Sequence, residues 1–413
     1  MLDTSAQCLG VLPARMRGRR RTTSAAGLAL TLDIHDDLDH IAPYWDEIAA
    51  TGARASVFQS YGWLSAWART AAAISGELPL IVTARCPQGR LRMLLPLGLE
   101  RVGGQTVAGF LGQSHANYGL ALLDPQFSDR LSSHDVRNLF RAIAEIVPIA
   151  AVRLDRQPAS WLGRPNPFAL TGGIVSANDS HVLGLQFPFD ELYASRFSAR
   201  TRSTLRRKAR KAAGLGKYSL SEAADAAQRC HWTSTFLAAK SRQLREGGAT
   251  DIFNDPALIA FYRTLARRSH RTDPQISISA LEAGGQIGAI ALTIDDGGRR
   301  YLLNTALVSD TLRDCSPGLL LLTESIASAT AAGCTAYDFG PGDAAYKLAW
   351  APEVVPLVTT VLPLRVSGLP AASFMTAAAV AKRTIKRNPG LWSLAQLTRR
   401  RLFGAGQRAE RDA

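Results

Sequence analysis

The chain has 413 residues, 46% of them hydrophobic and 20% charged, with a mean hydropathy of −0.01. That length and apolar content suit two domains, each burying its own core. A net charge of +14 raises nucleic acid as a partner, but the charge is segregated: residues 1–26 carry +4, 196–217 carry +9 with no acid, and 382–413 carry +7, leaving the remainder acidic. No aromatic lies among Arg200–Lys211, so the base-stacking residues that nucleic-acid grooves interleave with charge are missing there. Five Cys and seven His are scattered, with no CxxC pair, so neither a disulfide framework nor a zinc site is indicated and no metal is expected.

From the N-terminus, RRR at 19–21 followed by AAGLALTL imitates an export signal, but the apolar run is short and meets Asp33. Residues 1–26 therefore read as a disordered basic leader entering the first strand. Helices are predicted over 37–50 and 60–73. The segment 80–100, LIVTARCPQGRLRMLLPLGLE, reads as strand, polar glycine turn, strand; NYGLALL, a helix near 128–146 and the strand AVRLD follow. Pro158, Pro165, Pro167 and Thr171-Gly172-Gly173 defeat both helix and strand, which predicts a linker over 158–180.

Further helices are expected over 198–213, 223–245 and 255–268. Residues 275–294, QISISALEAGGQIGAIALTI, then repeat the earlier grammar, followed by YLLNTAL, a helix at 317–332 and the strand TAYDF. The repetition predicts two copies of one α/β unit, at 27–157 and 181–365. Residues 366–413 read as a basic helical tail, in which Leu369–Ala381 is too short to span a bilayer but is followed by KRTIKR, as in an interfacial helix on an anionic membrane.

Between YLLNTAL and the 317–332 helix lies DTLRDCSPG. Ser316 reads as an N-cap, Pro317 suits the first helical position and Gly333 the C-terminal stop. A glycine-bearing helix start presents unpaired N–H groups and a positive dipole end, so Arg313, Ser316 and Gly318 together suit a phosphate. The same residues also fit an ordinary capped core helix. Cys315 has no neighbouring His with which to form a nucleophilic dyad. Upstream, Arg202, Arg206, Arg207 and Arg210 recur at three to four residues, so one helical face concentrates positive charge. It is either a solvated face or a site for an anionic acceptor such as a nucleotide-linked sugar, a lipid-linked glycan or an RNA end.

The order strand, glycine turn, strand, strand, Arg-x-x-Ser-x-Gly, helix, strand resembles the GNAT acyltransferase superfamily. More narrowly, FQSYGWLSAWART (58–70), LLPLGLE (94–100), RSTLRRKARK (202–211), DCSPGLLLL (314–322) and YDFGPGDAAYKLAW (337–350) resemble the CelD/BcsL-like acetyltransferases associated with cellulose and exopolysaccharide synthesis in bacteria. The Arg-rich helix also resembles its counterpart in the Fem-like transferases, which use two tandem GNAT-type domains.

The resemblance implies an α/β fold of two tandem GNAT-like domains, with mixed, mostly antiparallel sheets flanked by helices. It further implies acetyl-CoA or another acyl-CoA as co-substrate, held by Arg313, Ser316, Gly318 and Leu319, with Ser316 standing where the family usually has glycine. DPQFSDRLSSHD (124–135) contains no glycine, so the first domain is expected to lack the cofactor loop. Tyr346 is implied as the acid for the leaving thiolate, with Tyr337 a substitute, and Asp343 and Asp338 are the candidate bases. Arg202, Arg206 and Lys347 are candidates for binding an anionic or sugar-containing acceptor. The alternatives are a Fem-like aminoacyl transferase, with tRNA then the only nucleic-acid substrate, and a non-catalytic scaffold at the membrane surface. A cytoplasmic protein, or one peripheral to the inner membrane through its basic C-terminal tail, is the corresponding localisation.

Overall fold

The computed structural model describes residues 19–169, 173–267, 276–388 and 390–393. Two compact units divide between Ala177 and Asn178 and again between Val355 and Pro356.

The first unit begins with the hairpin of β1 (Arg20–Ala25) and β2 (Leu28–His35). Its two turn residues, Ala26 and Gly27, both have positive φ, as a two-residue hairpin turn matched to strand twist requires. Next come α1 (Pro43–Ala50), α2 (Tyr61–Trp67) and, after a π turn, α3 (Ala73–Ser75). Trp63 and Trp67 are buried core residues. The meander β3 (Leu78–Arg85), β4 (Leu91–Val102), β5 (Gln105–Phe110) follows, with the short β6 (Leu122–Leu123) paired to β4. After α4 (Pro125–Ser128), α5 (Ser133–Ile146) crosses over to β7 (Ala151–Pro158), which runs parallel to β5. The β8 (Ser160–Trp161) and β9 (Arg164–Pro165) hairpin and β10 (Ile174–Val175) complete this stretch.

The second unit comprises β11 (Ser180–Gly184), α6 (Phe189–Arg196), α7 (Ala199–Ala213), β12 (Tyr218–Glu222), α8 (Ala226–Glu246) and α9 (Pro256–Arg267). It continues through β13 (Ile276–Ala283), β14 (Gln286–Asp296), β15 (Arg299–Leu307), α10 (Pro317–Ala331), β16 (Ala336–Pro341), α11 (Ala345–Trp350) and β17 (Val354–Val355). The chain then returns to the first unit with β18 (Leu357–Pro363) and α12 (Leu369–Arg387).

Both sheets follow one plan. In the first, β2, β3, β4 and β5 are antiparallel, α5 crosses over, β7 is parallel to β5, and β18 pairs antiparallel to β7. In the second, β12 to β15 are antiparallel, α10 crosses over, β16 is parallel to β15, and β11 pairs antiparallel to β16. The closing strand is therefore exchanged in chain order: the first sheet is closed by a strand that follows the second, and the second by one that precedes it. Central strands such as Met93–Leu99 are buried on both faces and read as nearly continuous apolar runs. Each fully buried Leu, Ile or Val there contributes about 1.5–3 kcal/mol.

Three expected boundaries differ in the structure. Residues 20–25 form a paired strand rather than a leader, because Thr22 and Thr23 suit an edge strand and Gly27 permits the turn. The predicted linker contains β8, β9, β10 and the fully buried Phe168, so it packs as part of the first unit, while Thr171 and Gly172 lie outside the described residues. The second unit ends near 355 rather than 365 because β18 pairs with β7. The expected basic helical tail begins with α12, whose Ala371, Ala372 and Met375 are buried against the first unit, and residues 394–413 lie outside the description.

A buried carboxylate ties the first unit together. Glu77 accepts from Trp67 Nε1 at 2.6 Å and from the Gly112 N–H at 3.1 Å. Burial pushes its pKa up from 4.5 to about 7, against the pull of those two donors. Folding therefore binds a proton between those values. The contribution is complete below the unfolded pKa and is lost as pH rises through the folded one. At 1.36 kcal/mol per unit, about 3 kcal/mol is lost by pH 8. Urea unfolding at pH 5 and pH 8 should show a larger drop for the wild type than for Glu77→Gln; equal drops would contradict the assignment.

Candidate active site

Parallel pairing of β15 with β16 covers only Arg299–Tyr301 against Ala336–Asp338. Beyond these pairs β15 runs to Leu307 and β16 to Pro341 without bonding each other, so their C-terminal ends splay. Val308 N–H donates to Gly288 O at 2.9 Å. Alternation along an antiparallel ladder then turns the backbone groups of Thr305 and Leu307 away from β14, into the gap. Two side chains already serve that edge: Asn304 Oδ1 accepts from Thr305 N–H at 3.0 Å, and Lys240 of α8 donates to Thr305 O at 2.9 Å. Burial lowers the pKa of Lys240.

At the mouth of the gap α10 begins. Ser316 sits in the left-handed region at φ 52°, ψ 56°, a conformation that glycine adopts without strain. The expected side-chain cap is not made: Ser316 carbonyl accepts from Leu319 and Leu320 N–H, while its Oγ accepts from Lys208 of α7. A Cβ on Gly318 would lie 3.1 Å from Leu307 Cδ2, so the helix start abuts the end of β15. The first turn holds no acid. Arg313 is exposed and 3.2 Å from Asp310, and Lys211 is 3.3 Å from Asp314. Leu319 is partly buried against the core, and Cys315 is buried among Ala212, Ala283 and Leu312. The sequence motif thus gains a partner it did not reveal: the Arg-rich helix packs beside the loop, with Lys208 and Lys211 adding positive charge to the dipole end.

The other wall is the end of β16. A register shift opposite His181 and Val182 leaves Phe339 bulged, and Gly340 and Gly342 take positive φ. Asp338 has no solvent exposure; one oxygen accepts from Arg299 at 2.9 Å and the other from Gly340 N–H at 2.8 Å. Lys347 donates to Gly340 O at 3.2 Å and Pro341 O at 2.8 Å, clamping the turn. Tyr337 is fully buried and hydrogen-bonded to Ser325 at 2.9 Å.

Two further candidate groups follow the end of β16. The Asp343 side chain is 44% exposed and lies 3.6 Å from His181 Nε2. His181 Nδ1 donates to Ala351 O at 3.1 Å, so the nitrogen facing Asp343 carries a proton only in the imidazolium. Tyr346 packs edge-on against Phe339, its hydroxyl has no hydrogen-bond partner among the described residues, and burial pushes its pKa up to about 12. The phenol is neutral throughout the ordinary pH range and able to donate.

Arg202 and Arg206 stand elsewhere on α7, close enough to Tyr193 of α6 to oppose the rise that burial causes in its pKa. Sequence reasoning missed His181, Lys208, Lys240 and Glu324. The last is a half-buried carboxyl on α10 whose pKa burial raises. Lys208 lies within the RSTLRRKARK block without being singled out there, and the other three fall in no motif; only tertiary packing brings Lys208 to the α10 start and Lys240 to the edge of β15. Among the described residues no group of three or more His, Cys, Asp and Glu could hold a metal.

The equivalent gap of the first unit is closed by its own chain. Between β5 and β7, Gln113 Oε1 accepts from Asp155 N–H at 3.1 Å, Gly119 N–H donates to Arg156 O at 3.1 Å, and Arg156 donates to Ala116 O. A Cβ on Gly119 would lie 2.6 Å from Asp155 O, so only glycine fits there. The N-terminus of α5 is likewise satisfied from within, by a capping box of Ser132 and Asp135.

Residues 199–348 match the family of Acetyltransferase (GNAT) domains. The second unit is a GNAT-type domain, and the shared sheet plan makes the chain two GNAT-like α/β domains in tandem. Among solved structures, FemX is similar at 13% identity over 80% of this chain and 94% of that one, with a TM-score of 0.51, a likeness of fold. The C-terminal domain of a putative lysylphosphatidylglycerol synthetase from Agrobacterium fabrum aligns at 12% identity over 83% and 97% of the two chains, with a TM-score of 0.49. A tandem GNAT protein from the clavulanic acid pathway aligns at 13% identity over 81% and 99%, with a TM-score of 0.44. No curated protein matches the chain.

Proposed function

We propose that the protein is an acyl-CoA-dependent N- or O-acyltransferase whose second domain carries the reaction and whose acceptor is a polysaccharide or cell-envelope precursor. The observation that carries this reading is the start of α10: a helix whose first turn holds no acid and no side-chain cap, opening onto a splayed pair of parallel strands. Its left-handed Ser316 and close-packed Gly318 let the backbone approach a phosphate, and Arg313, Lys208 and Lys211 supply charge around it. Leu319 forms the floor of that turn. The unpaired edge of β15 at Leu307 suits an extended amide-bearing arm, which would add to it as a strand does.

When bound, acyl-CoA supplies an activated thioester carbonyl. Asp343 takes the proton from the acceptor amine or hydroxyl as the new acyl bond forms, and Tyr346 gives its proton to the sulfur as the old bond breaks. Asp338 and Lys347 hold the turn that carries both groups. Arg202 and Arg206 provide positive charge for an anionic, sugar-containing acceptor such as a nucleotide-linked sugar. The nine cations of 196–217 also favour a second reading, Fem-like transfer from aminoacyl-tRNA; binding of aminoacyl-tRNA in preference to acetyl-CoA distinguishes it.

Isothermal titration with acetyl-CoA tests the proposal. The intact protein should bind, and a variant combining Arg313→Ala with Gly318→Trp should not, with circular dichroism unchanged. No binding of any acyl-CoA by the intact protein would overturn it.

A further inference from the structure

The outward face of α12 lacks what a solvated helix shows. A surface helix normally turns charged residues to water and apolar ones inward. Here the inward positions are filled by Ala371, Ala372 and Met375, and no residue beyond Met375 is buried. On the opposite half of the helix lie Leu369, Phe374, Val380 and Ile385, with Phe374 68% exposed and Val380 46%. Ser373, Ala377, Ala378, Ala381 and Thr384 fill the spaces between them, and no charged residue interrupts this face from Leu369 to Ala381. Val366, just before the helix, is 83% exposed. Between β18 and the helix a shallow apolar groove of about 610 Å³ extends the same surface past Val361 and Pro363.

Charge complementarity says what covers this face. The apolar stretch ends in Lys382 and Arg383, with Lys386 and Arg387 one turn on, and the sequence holds no acid between Glu353 and Glu410. A second copy packed parallel along α12 would bring one basic cluster onto another, and one packed antiparallel would set each cluster against a helix without acids. Water alone leaves the aromatic and aliphatic side chains exposed. An anionic bilayer surface satisfies both halves, because the apolar face enters the acyl boundary while the basic side chains reach the headgroups. No helix among the described residues is long and apolar enough to cross a membrane, so the contact lies in the plane of the interface.

We infer that α12 docks the protein on anionic lipid surfaces through its outward face, with Phe374 and Val380 inserted and Lys382 and Arg383 at the headgroups. This inference stands apart from the proposed reaction.

Sedimentation with sucrose-loaded vesicles tests it on the full chain. Vesicles of phosphatidylcholine with 30% phosphatidylglycerol should carry the protein down, and pure phosphatidylcholine should not. Lys382→Ala with Arg383→Ala should weaken partition about 30-fold, the figure for two basic side chains at an anionic surface. Phe374→Asp should abolish it while acetyl-CoA binding and circular dichroism stay as in the wild type. Failure of the wild type to sediment would overturn the inference, as would a Phe374→Asp variant that sediments normally. A wild-type dimer that Phe374→Asp converts to monomer, without vesicle binding, would overturn it in favour of self-association.

Discussion

Tyr346→Phe is expected to lower kcat for acyl transfer from acetyl-CoA by about 10²–10⁴-fold, the usual worth of a positioned general acid. The change removes one hydroxyl that has no hydrogen-bond partner among the described residues, so the fold has little to lose. Packing of the ring against Phe339 persists. Acetyl-CoA affinity should stay within about threefold, because the lost interaction belongs to the transition state and not to binding. Free thiol release, followed together with calorimetry, separates the two quantities. Because burial holds the hydroxyl near pKa 12, no alkaline loss of activity from this group should appear at pH 10, where an exposed tyrosine begins to ionise. Tyr337→Phe should behave differently: it leaves the buried Ser325 hydroxyl short of a partner and lowers stability rather than turnover. An unchanged kcat in Tyr346→Phe would remove it from the reaction.

Arg299→Ala should destabilise the second domain by about 3–5 kcal/mol, because it removes the counter-charge of a buried carboxylate. Asp338 has no solvent exposure, and its partner guanidinium is 2.9 Å away. Asp338→Asn should cost less, since the amide oxygen still accepts from Gly340 N–H and the charge that loses its counter-ion, on Arg299, keeps 19% of its side chain in solvent. Replacing both residues by apolar ones of similar volume should recover much of the loss. Thermal unfolding of the three variants ranks them, and Arg299→Ala as stable as the wild type would contradict the structural role. That role also explains why a carboxylate read as a candidate base stands in the proposal as a residue that shapes the turn.

The sequence made the paired units legible because each repeats a strand, a glycine turn and a strand, with period-two alternation in the second at Ile276, Ile278 and Ala280. Helices at 199–213 and 317–331 fell close to their predicted bounds because Ser198 caps the first while Pro317 opens and Gly333 closes the second, all of them local signals. What local patterns could not carry was the exchange of closing strands. β18 meets β7 across roughly two hundred residues, and nothing in Leu357–Pro363 marks which sheet it joins. The loop residues at the α10 start were readable from Ser-Pro-Gly, yet Lys208 reached them only through the packing of α7. His181 is a single histidine in a short strand, with no spacing partner to betray it. Conversely, the closure of the first gap by residues 113–119 gives a physical reason for asymmetry that the missing glycine in 124–135 had only suggested.

The number of acyl-CoA sites per chain tests the central claim most directly. Calorimetric titration of the intact protein with acetyl-CoA should give one site per chain, abolished when the α10 start is blocked by Gly318→Trp and unaffected by Gln113→Ala in the closed gap. Two sites per chain, or a single site that survives Gly318→Trp, would contradict the account.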